Sequence, residues 1–148
     1  VVEIRGDLWT FHEEDEWIVI TTNGAVRKDG RAVMGRGIAF EASKRFPKLS
    51  KHLGELLLRE GNIVHVFNSL RLLTLPVKYH WSEKASMDLI YHSVEQLMER
   101  VDDKRLNQVY MVRPGCGNGK LDWSFVKPRI EPLLDDRFII VERRRRNG

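Results

Sequence analysis

Two glycine-rich stretches and one lysine carry the residue types best suited to chemistry. The first stretch is Val33-Met34-Gly35-Arg36-Gly37-Ile38-Ala39, which runs directly into a helical pattern. Paired glycines let a backbone approach a phosphate closely, and the N-terminus of the following helix offers unpaired N–H donors. The second stretch, Gly115-Cys116-Gly117-Asn118-Gly119, follows Pro114 at the exit of an apolar strand. Successive N–H groups in such a loop form a nest for anions. Both loops suit one ligand that carries phosphates. No Gly-Lys-Ser/Thr follows either loop, so neither is a P-loop, and the Rossmann spacing that would bind a nicotinamide dinucleotide is missing.

Lys78 stands just past an apolar strand pattern. An amine is a nucleophile only where some fraction is neutral, and the reference lysine pKa of about 10.4 must be lowered by burial or a neighbouring cation. A charged Lys78 has a second use, stabilising a leaving group, and the commonest fate of lysine is simply solvent. Asp7 is either a ligand acceptor or a turn or cap residue. Asn23, before Gly24, either faces a ligand or bonds local backbone at a strand end. Cys116 has no His-Asp partner in view, so small size in a tight loop accounts for it. His65, His80 and His92 lack metal-ligand spacing, and no metal or cofactor is expected. Trp123 reads as packing beneath the second loop.

The elements that must position these residues alternate in type. Val2–Arg5, Trp17–Thr21, Ile63–Phe67, Leu70–Leu75, Gln108–Val112 and Phe138–Glu142 read as strands, with a tight Asn68-Ser69 connection. Helices are expected over Gly37–Phe46, stopped by Pro47, over Leu49–Arg59, and over Ser86–Val101, where Leu89, Ile90, Val94, Leu97, Met98 and Val101 keep the 3.6-residue period behind a Ser86 cap. Asp122–Leu134 reads as a short or broken helix because it contains Pro128 and Pro132. Such alternation implies a layered α/β domain with a largely buried sheet. Ligands of such sheets collect beyond the carboxyl ends of the strands, which is where both glycine loops fall.

Composition sets the frame. With 148 residues, 42% hydrophobic and 31% charged, one soluble globular domain is expected. No apolar run approaches the ~20 residues of a membrane span, and no signal-peptide pattern opens the sequence. A single cysteine cannot form an internal disulfide, which favours the cytoplasm. Lys and Arg number 25 against 21 Asp and Glu, and the excess is the run Arg143, Arg144, Arg145 and Arg146. Residues 1–142 therefore form the expected domain and 143–148 a basic tail, able to contact phosphate but not in itself a sign of nucleic-acid binding. A monomer is expected.

Taken together, the motifs resemble the macrodomain family over nearly the whole chain and in the family's order. Gly6-Asp7-Leu8 is similar to the Gly-Asp-Ile/Leu after the family's first strand, whose Asp accepts from an adenine amino group. Val19-Ile20-Thr21-Thr22-Asn23 stands where the family has Val-Asn-Ala-Ala-Asn, which puts Asn23 at the distal ribose of ADP-ribose and Ile20 in place of the first Asn. Gly35 to Ala39 and Gly115 to Gly119 match the two loops around the pyrophosphate. Leu75-Pro76-Val77-Lys78-Tyr79-His80-Trp81 and the run from Gly115 to Trp123 resemble the class formed by the DarG antitoxin and the terminal ADP-ribose glycohydrolase. In that class a lysine at the place of Lys78 serves catalysis.

The resemblance implies a three-layer α/β/α sandwich with a central mixed sheet. It implies an ADP-ribose ligand contacted by Asp7, Leu8, Met34, Gly35, Arg36, Gly37, Ile38, Ala39, Pro114, Gly115, Cys116, Gly117, Asn118 and Gly119, with Lys78 and Asn23 as catalytic residues. It also implies removal of ADP-ribose from modified DNA bases or protein. Three departures bear on this. Gly119 replaces the Asp of the glycohydrolase, as in DarG. Ala25 to Arg31 form a charged insertion whose place suggests a flap over the distal ribose. The position of an adenine-stacking aromatic falls near Glu142. A non-catalytic ADP-ribose reader and an ADP-ribose 1″-phosphate phosphatase therefore stay open as alternatives.

Overall fold

The computed structural model describes residues 1–143. A six-stranded mixed sheet has the order β1-β6-β5-β2-β4-β3. Its strands are β1 (Val2–Gly6), β2 (Trp17–Asn23), β3 (Val66–Phe67), β4 (Leu72–Lys78), β5 (Val109–Val112) and β6 (Phe138–Arg143). All neighbours run parallel except the short edge strand β3, which is antiparallel to β4. Five helices cover the sheet: α1 (Leu8–Glu13), α2 (Gly37–Arg45), α3 (Leu49–Glu60), α4 (Met87–Asp103) and α5 (Trp123–Ile130).

The period of two along each strand sorts the core into two layers. Ile18, Ile20, Leu72, Tyr110, Val112, Ile139 and Val141 meet α1, α2 and α3 on one face. Val19, Leu73, Leu75, Val109, Met111, Phe138 and Ile140 meet α4 and α5 on the other. Each such Leu or Ile contributes about 1.5–3 kcal/mol by leaving water. The expected three-layer α/β/α sandwich is the one observed. Both faces being covered, the strands read as continuous apolar runs rather than alternating ones.

Several boundaries move, each for a local reason. β4 runs on through Pro76 to Lys78 instead of ending at Leu75. The Thr74 N–H donates toward β3, to the His65 carbonyl. By the strand's period Pro76 faces the same way, past the end of β3, where its missing N–H costs no ladder bond. Its carbonyl accepts from Ser93 Oγ on α4 at 2.8 Å. The expected Ile63–Phe67 strand shrinks to two residues, and a 3-10 turn at Asn68–Leu70 followed by left-handed Arg71 (φ 51°) makes the connection to β4. α1 is an element the sequence pattern missed. Asp7 caps it, accepting from the Trp9 N–H at 3.0 Å. Arg143 is the last residue of β6 rather than the first of a tail, and it pairs with Glu41 on α2. The remaining arginines, Arg144, Arg145 and Arg146, lie outside the described residues.

Candidate functional site

Because β2, β4, β5 and β6 are parallel, their carboxyl ends share one edge of the sheet. The chain leaves β2 toward β4 on one side and leaves β5 toward β6 on the other, so a crevice opens between β2 and β5. A cleft of about 780 Å³ lies across this edge, within the roughly 300–1,000 Å³ of small-molecule sites. The loop from β2 to α2 forms one wall and the loop from β5 to α5 the other. Lys78 ends β4 at one extreme of the cleft, and Glu142 and Arg143 end β6 at the other.

The first wall presents the start of α2. Gly37 has φ 59°, and a Cβ there would lie 2.8 Å from Asn118 Nδ2 of the opposite loop. The two glycine loops thus come close together, and the positive φ at Gly37 favours glycine there. Met34, Ile38 and Ala39 line the cleft although each residue is more than nine-tenths buried. In the second wall, Leu121 N–H donates to Gly115 O and Ala85 N–H to Gly119 O. Among the described residues, the N–H groups of Gly117, Asn118 and Gly119 have no acceptor within the protein. Both walls offer an anion free backbone donors at close approach.

Gly119 is a glycine for a steric reason. A Cβ at this position would stand 2.5 Å from Gly115 O and 2.8 Å from Ala85 Cβ. The carboxylate that the glycohydrolase carries in this loop therefore has no room here. Gly117, by contrast, faces open space.

Lys78 is the last residue of β4, half-buried, and not a residue beyond the strand. Its Nζ donates to Asn118 O at 3.2 Å and lies 3.4 Å from Trp81 O, so it spans from its own strand to the second loop. Burial pushes the Lys78 amine below the ordinary lysine range, and the nearby charges of Arg36 and Lys120 push it further. The strand end is itself braced. Gly24 N–H donates to the carbonyls of Lys78 and Tyr79, and Asn62 Nδ2 donates to Lys78 O at 3.1 Å. Asn62 Oδ1 is buried without a partner among the described residues.

Asn23 lines the cleft, with its amide engaged at both ends. Nδ2 donates to Val33 O at 3.0 Å, and Oδ1 accepts from the Ala25 N–H at 2.9 Å. The local-backbone role is therefore present, and it fixes the side chain beside the first wall. Cys116 also lines the cleft, but burial pushes its thiol up to about 11. It remains a thiol at neutral pH and is no nucleophile.

Of the residues expected at the site, Asp7, Leu8 and Pro114 do not line the cleft. The Asp7 carboxylate caps α1, the Leu8 side chain is fully buried in the core, and Pro114 is buried behind the second loop. The others expected there are brought together: Met34, Gly35, Arg36, Gly37, Ile38, Ala39, Gly115, Cys116, Gly117, Asn118 and Gly119, with Asn23 and Lys78. The Ala25–Arg31 insertion is not a flap. Val26 bridges Ala32, Arg27 and Arg31 close a tight turn, and Ala32 N–H donates to Ser50 O of α3. Gly54 of α3 lets this loop pack so closely that a Cβ there would overlap the backbone of Gly30 and Ala32. No residue from 25 to 31 lines the cleft.

Sequence reasoning missed Arg113, Trp81 and Asp122 as lining residues, although Arg113 directly follows a strand whose carboxyl end was expected to face a ligand. At the β6 end no ring stands at Glu142, which pairs with Arg5 and Arg113. Trp123 lines the cleft there, with the Arg113 guanidinium 5.4 Å from its ring centre and its Nε1 donating to Glu3.

No family model matches the chain. A curated DNA ADP-ribosyl glycohydrolase of Thermus aquaticus is 25% identical over 118 residues, which is 70% of this chain and 31% of that protein. The protein of the same name from Mycobacterium tuberculosis is 25% identical over 107 residues, 66% of this chain and 30% of that protein. The chain thus spans under a third of the length of the curated relatives it matches. Among solved structures, the macrodomain of Thermus aquaticus DarG superposes with a TM-score of 0.77 at 26% identity, covering 95% of each chain. Thermosipho africanus DarTG in complex with ADP-ribose superposes with a TM-score of 0.76 at 19% identity, over 94% of this chain and 40% of that one. The sheet order, the two layers and the loop-walled cleft are those of a macrodomain. Within that fold, the chain is similar to the macrodomains of DarG.

Proposed function

We propose that this domain binds ADP-ribose along the cleft and hydrolyses the bond between its distal ribose and a modified DNA base, with Lys78 as nucleophile. One observation carries the reading: Lys78 closes one end of a phosphate-suited cleft, with its amine depressed by burial and by two cations. A lowered amine gives up its proton more readily than an ordinary lysine, which lessens the need for a carboxylate base where Gly119 leaves no room for one. The neutral amine forms a bond to the anomeric carbon as the bond to the base nitrogen breaks. The base leaves with the electron pair and takes up a proton. The amine gives up its proton, the resulting glycosylamine opens to an imine, and water hydrolyses that imine and restores the lysine, so that overall a hydroxyl is added to the sugar and a hydrogen to the base.

The choice of DNA draws support from the names of the curated relatives and from the DarG-like glycine at 119. The pyrophosphate lies on the free N–H groups of the two walls, and the adenosine end reaches toward Trp123 and Arg113. One chain builds the whole cleft, so a monomer suffices, and the lone cysteine fits the cytoplasm. No helix among the described residues is long and apolar enough to cross a membrane.

The test incubates wild type and Lys78→Ala with an oligonucleotide ADP-ribosylated on thymidine and follows release of free ADP-ribose. Release by wild type alone is expected. Release by both variants would remove Lys78 from the chemistry. A second reading, a non-catalytic reader, draws on the bonds from Lys78 Nζ to two carbonyls, which suit a charged amine. It predicts binding of ADP-ribose without turnover.

A further inference from the structure

Immediately after Lys78, the chain leaves three rings at the protein surface. Tyr79 is 58% exposed and Trp81 47% exposed, and His80 is exposed beside them. Trp81 lines the cleft at its Lys78 end. The His80 and Trp81 ring centres are 5.4 Å apart and tilted by 35°. His80 is held by its own turn: its Nδ1 accepts from the Ser82 N–H and meets Ser82 Oγ at 2.8 Å, while Glu83 N–H donates to His80 O. The exposed Phe125 differs in having the Arg129 guanidinium 3.8 Å from its ring centre, whereas no cation among the described residues covers Trp81.

The charge around these rings is positive. Arg36 of the first wall and Lys120 beyond the second are exposed, act on Lys78 and form no ion pair among the described residues. Glu83 is the carboxylate of the turn itself. An exposed indole at the same end of a cleft as unpaired cations suits single-stranded nucleic acid, through base stacking and phosphate attraction.

We propose that the His80–Trp81 pair is a stacking platform for the nucleobase next to the modified one in single-stranded DNA, with Arg36 and Lys120 facing the flanking phosphates. The inference rests on the DNA reading of the cleft and names what selects that substrate. A base joined to the distal ribose must leave its own stack for the bond to reach Lys78, and its neighbour then lacks a stacking partner. Trp81 is the exposed ring at the Lys78 end of the cleft and supplies one.

The experiment compares kcat/KM on ADP-ribosylated thymidine mononucleotide, on an ADP-ribosylated single-stranded oligonucleotide and on an ADP-ribosylated peptide. The proteins are wild type, Trp81→Phe and Trp81→Leu. Wild type should prefer the oligonucleotide to the mononucleotide by on the order of ten-fold. Trp81→Leu should lose that preference and Trp81→Phe should keep most of it, since it keeps a ring. An equal loss on mononucleotide and oligonucleotide, or a wild-type preference for the peptide, overturns the platform. Anisotropy of a labelled, unmodified single-stranded oligonucleotide separates this from the function itself. If wild type cleaves nothing, the hydrolase reading fails. The platform then stands if Trp81→Leu weakens oligonucleotide binding and falls if it does not.

Discussion

Gly119→Ala places one methyl group where the second loop has no space. Its Cβ would meet Gly115 O at 2.5 Å and Ala85 Cβ at 2.8 Å, and the first of these is backbone. The loop cannot relieve this by turning a side chain, and Gly119 O and Gly115 O are both engaged in bonds that close the loop. Overpacking of this kind costs about 1–3 kcal/mol. Loss of glycine's freedom in the unfolded chain returns about 0.4–1 kcal/mol. The net destabilisation then falls between about 0 and 2.6 kcal/mol, centred near 1 kcal/mol, which for a domain of this size lowers Tm by up to about 8 °C. Gly117→Ala is the matched control, because its Cβ would meet nothing within 4 Å. Differential scanning calorimetry of the three proteins, with ADP-ribose titration of each, should show Gly119→Ala both less stable and weaker in binding. Gly117→Ala should match the wild-type Tm or exceed it slightly. If Gly119→Ala melted with wild type, or if both variants lost equally, the steric account of the missing carboxylate would be wrong.

The pH dependence follows from the sign of the Lys78 shift. Its amine is held below the ordinary lysine range, so the neutral nucleophile grows in as pH rises through that lowered value. Single-turnover hydrolysis should therefore rise with increasing pH and level off below the reference value near 10.4; a rate falling as pH rises would assign the charged form instead. Asn62→Leu removes the Nδ2 bond to Lys78 O and the unpartnered buried Oδ1 together. Turnover should fall several-fold while ADP-ribose affinity by calorimetry stays close to wild type, and an unchanged turnover would show that Asn62 does not position the lysine. With its thiol near 11, Cys116 should resist iodoacetamide at pH 7.5, as followed by intact mass. Rapid labelling would mean that the loop opens in solution.

Much of the fold was legible because it is written in periods. α4 carries its apolar residues at helical spacing and starts at Ser86, whose Oγ accepts from the Leu89 N–H as a cap should. The glycine loops were legible because three glycines in five residues at a strand exit serve little else. α1 was not, since six residues give less than two turns of periodicity and its buried Leu8 and Trp9 resemble a strand continuing. The same gap hid the burial of Leu8 and left the Asp7 cap as one option of two. The end of β4 was hidden by Pro76, whose tolerance depends on how short its neighbour β3 is. The insertion at 25–31 was read by its place in sequence alone, and its packing depends on a distant residue, Gly54. Arg113, Trp81 and the bracing Asn62 belong to the site only through tertiary contacts.

The most direct test of Lys78 as nucleophile is to trap it. Wild-type protein is mixed with thymidine-ADP-ribosylated oligonucleotide in the presence of cyanoborohydride and examined by peptide mass spectrometry. The account predicts a reduced ADP-ribosyl adduct on the peptide carrying Lys78, and no adduct or ADP-ribose release with Lys78→Ala. Release of ADP-ribose at full rate with no adduct, and its persistence in Lys78→Ala, would contradict it.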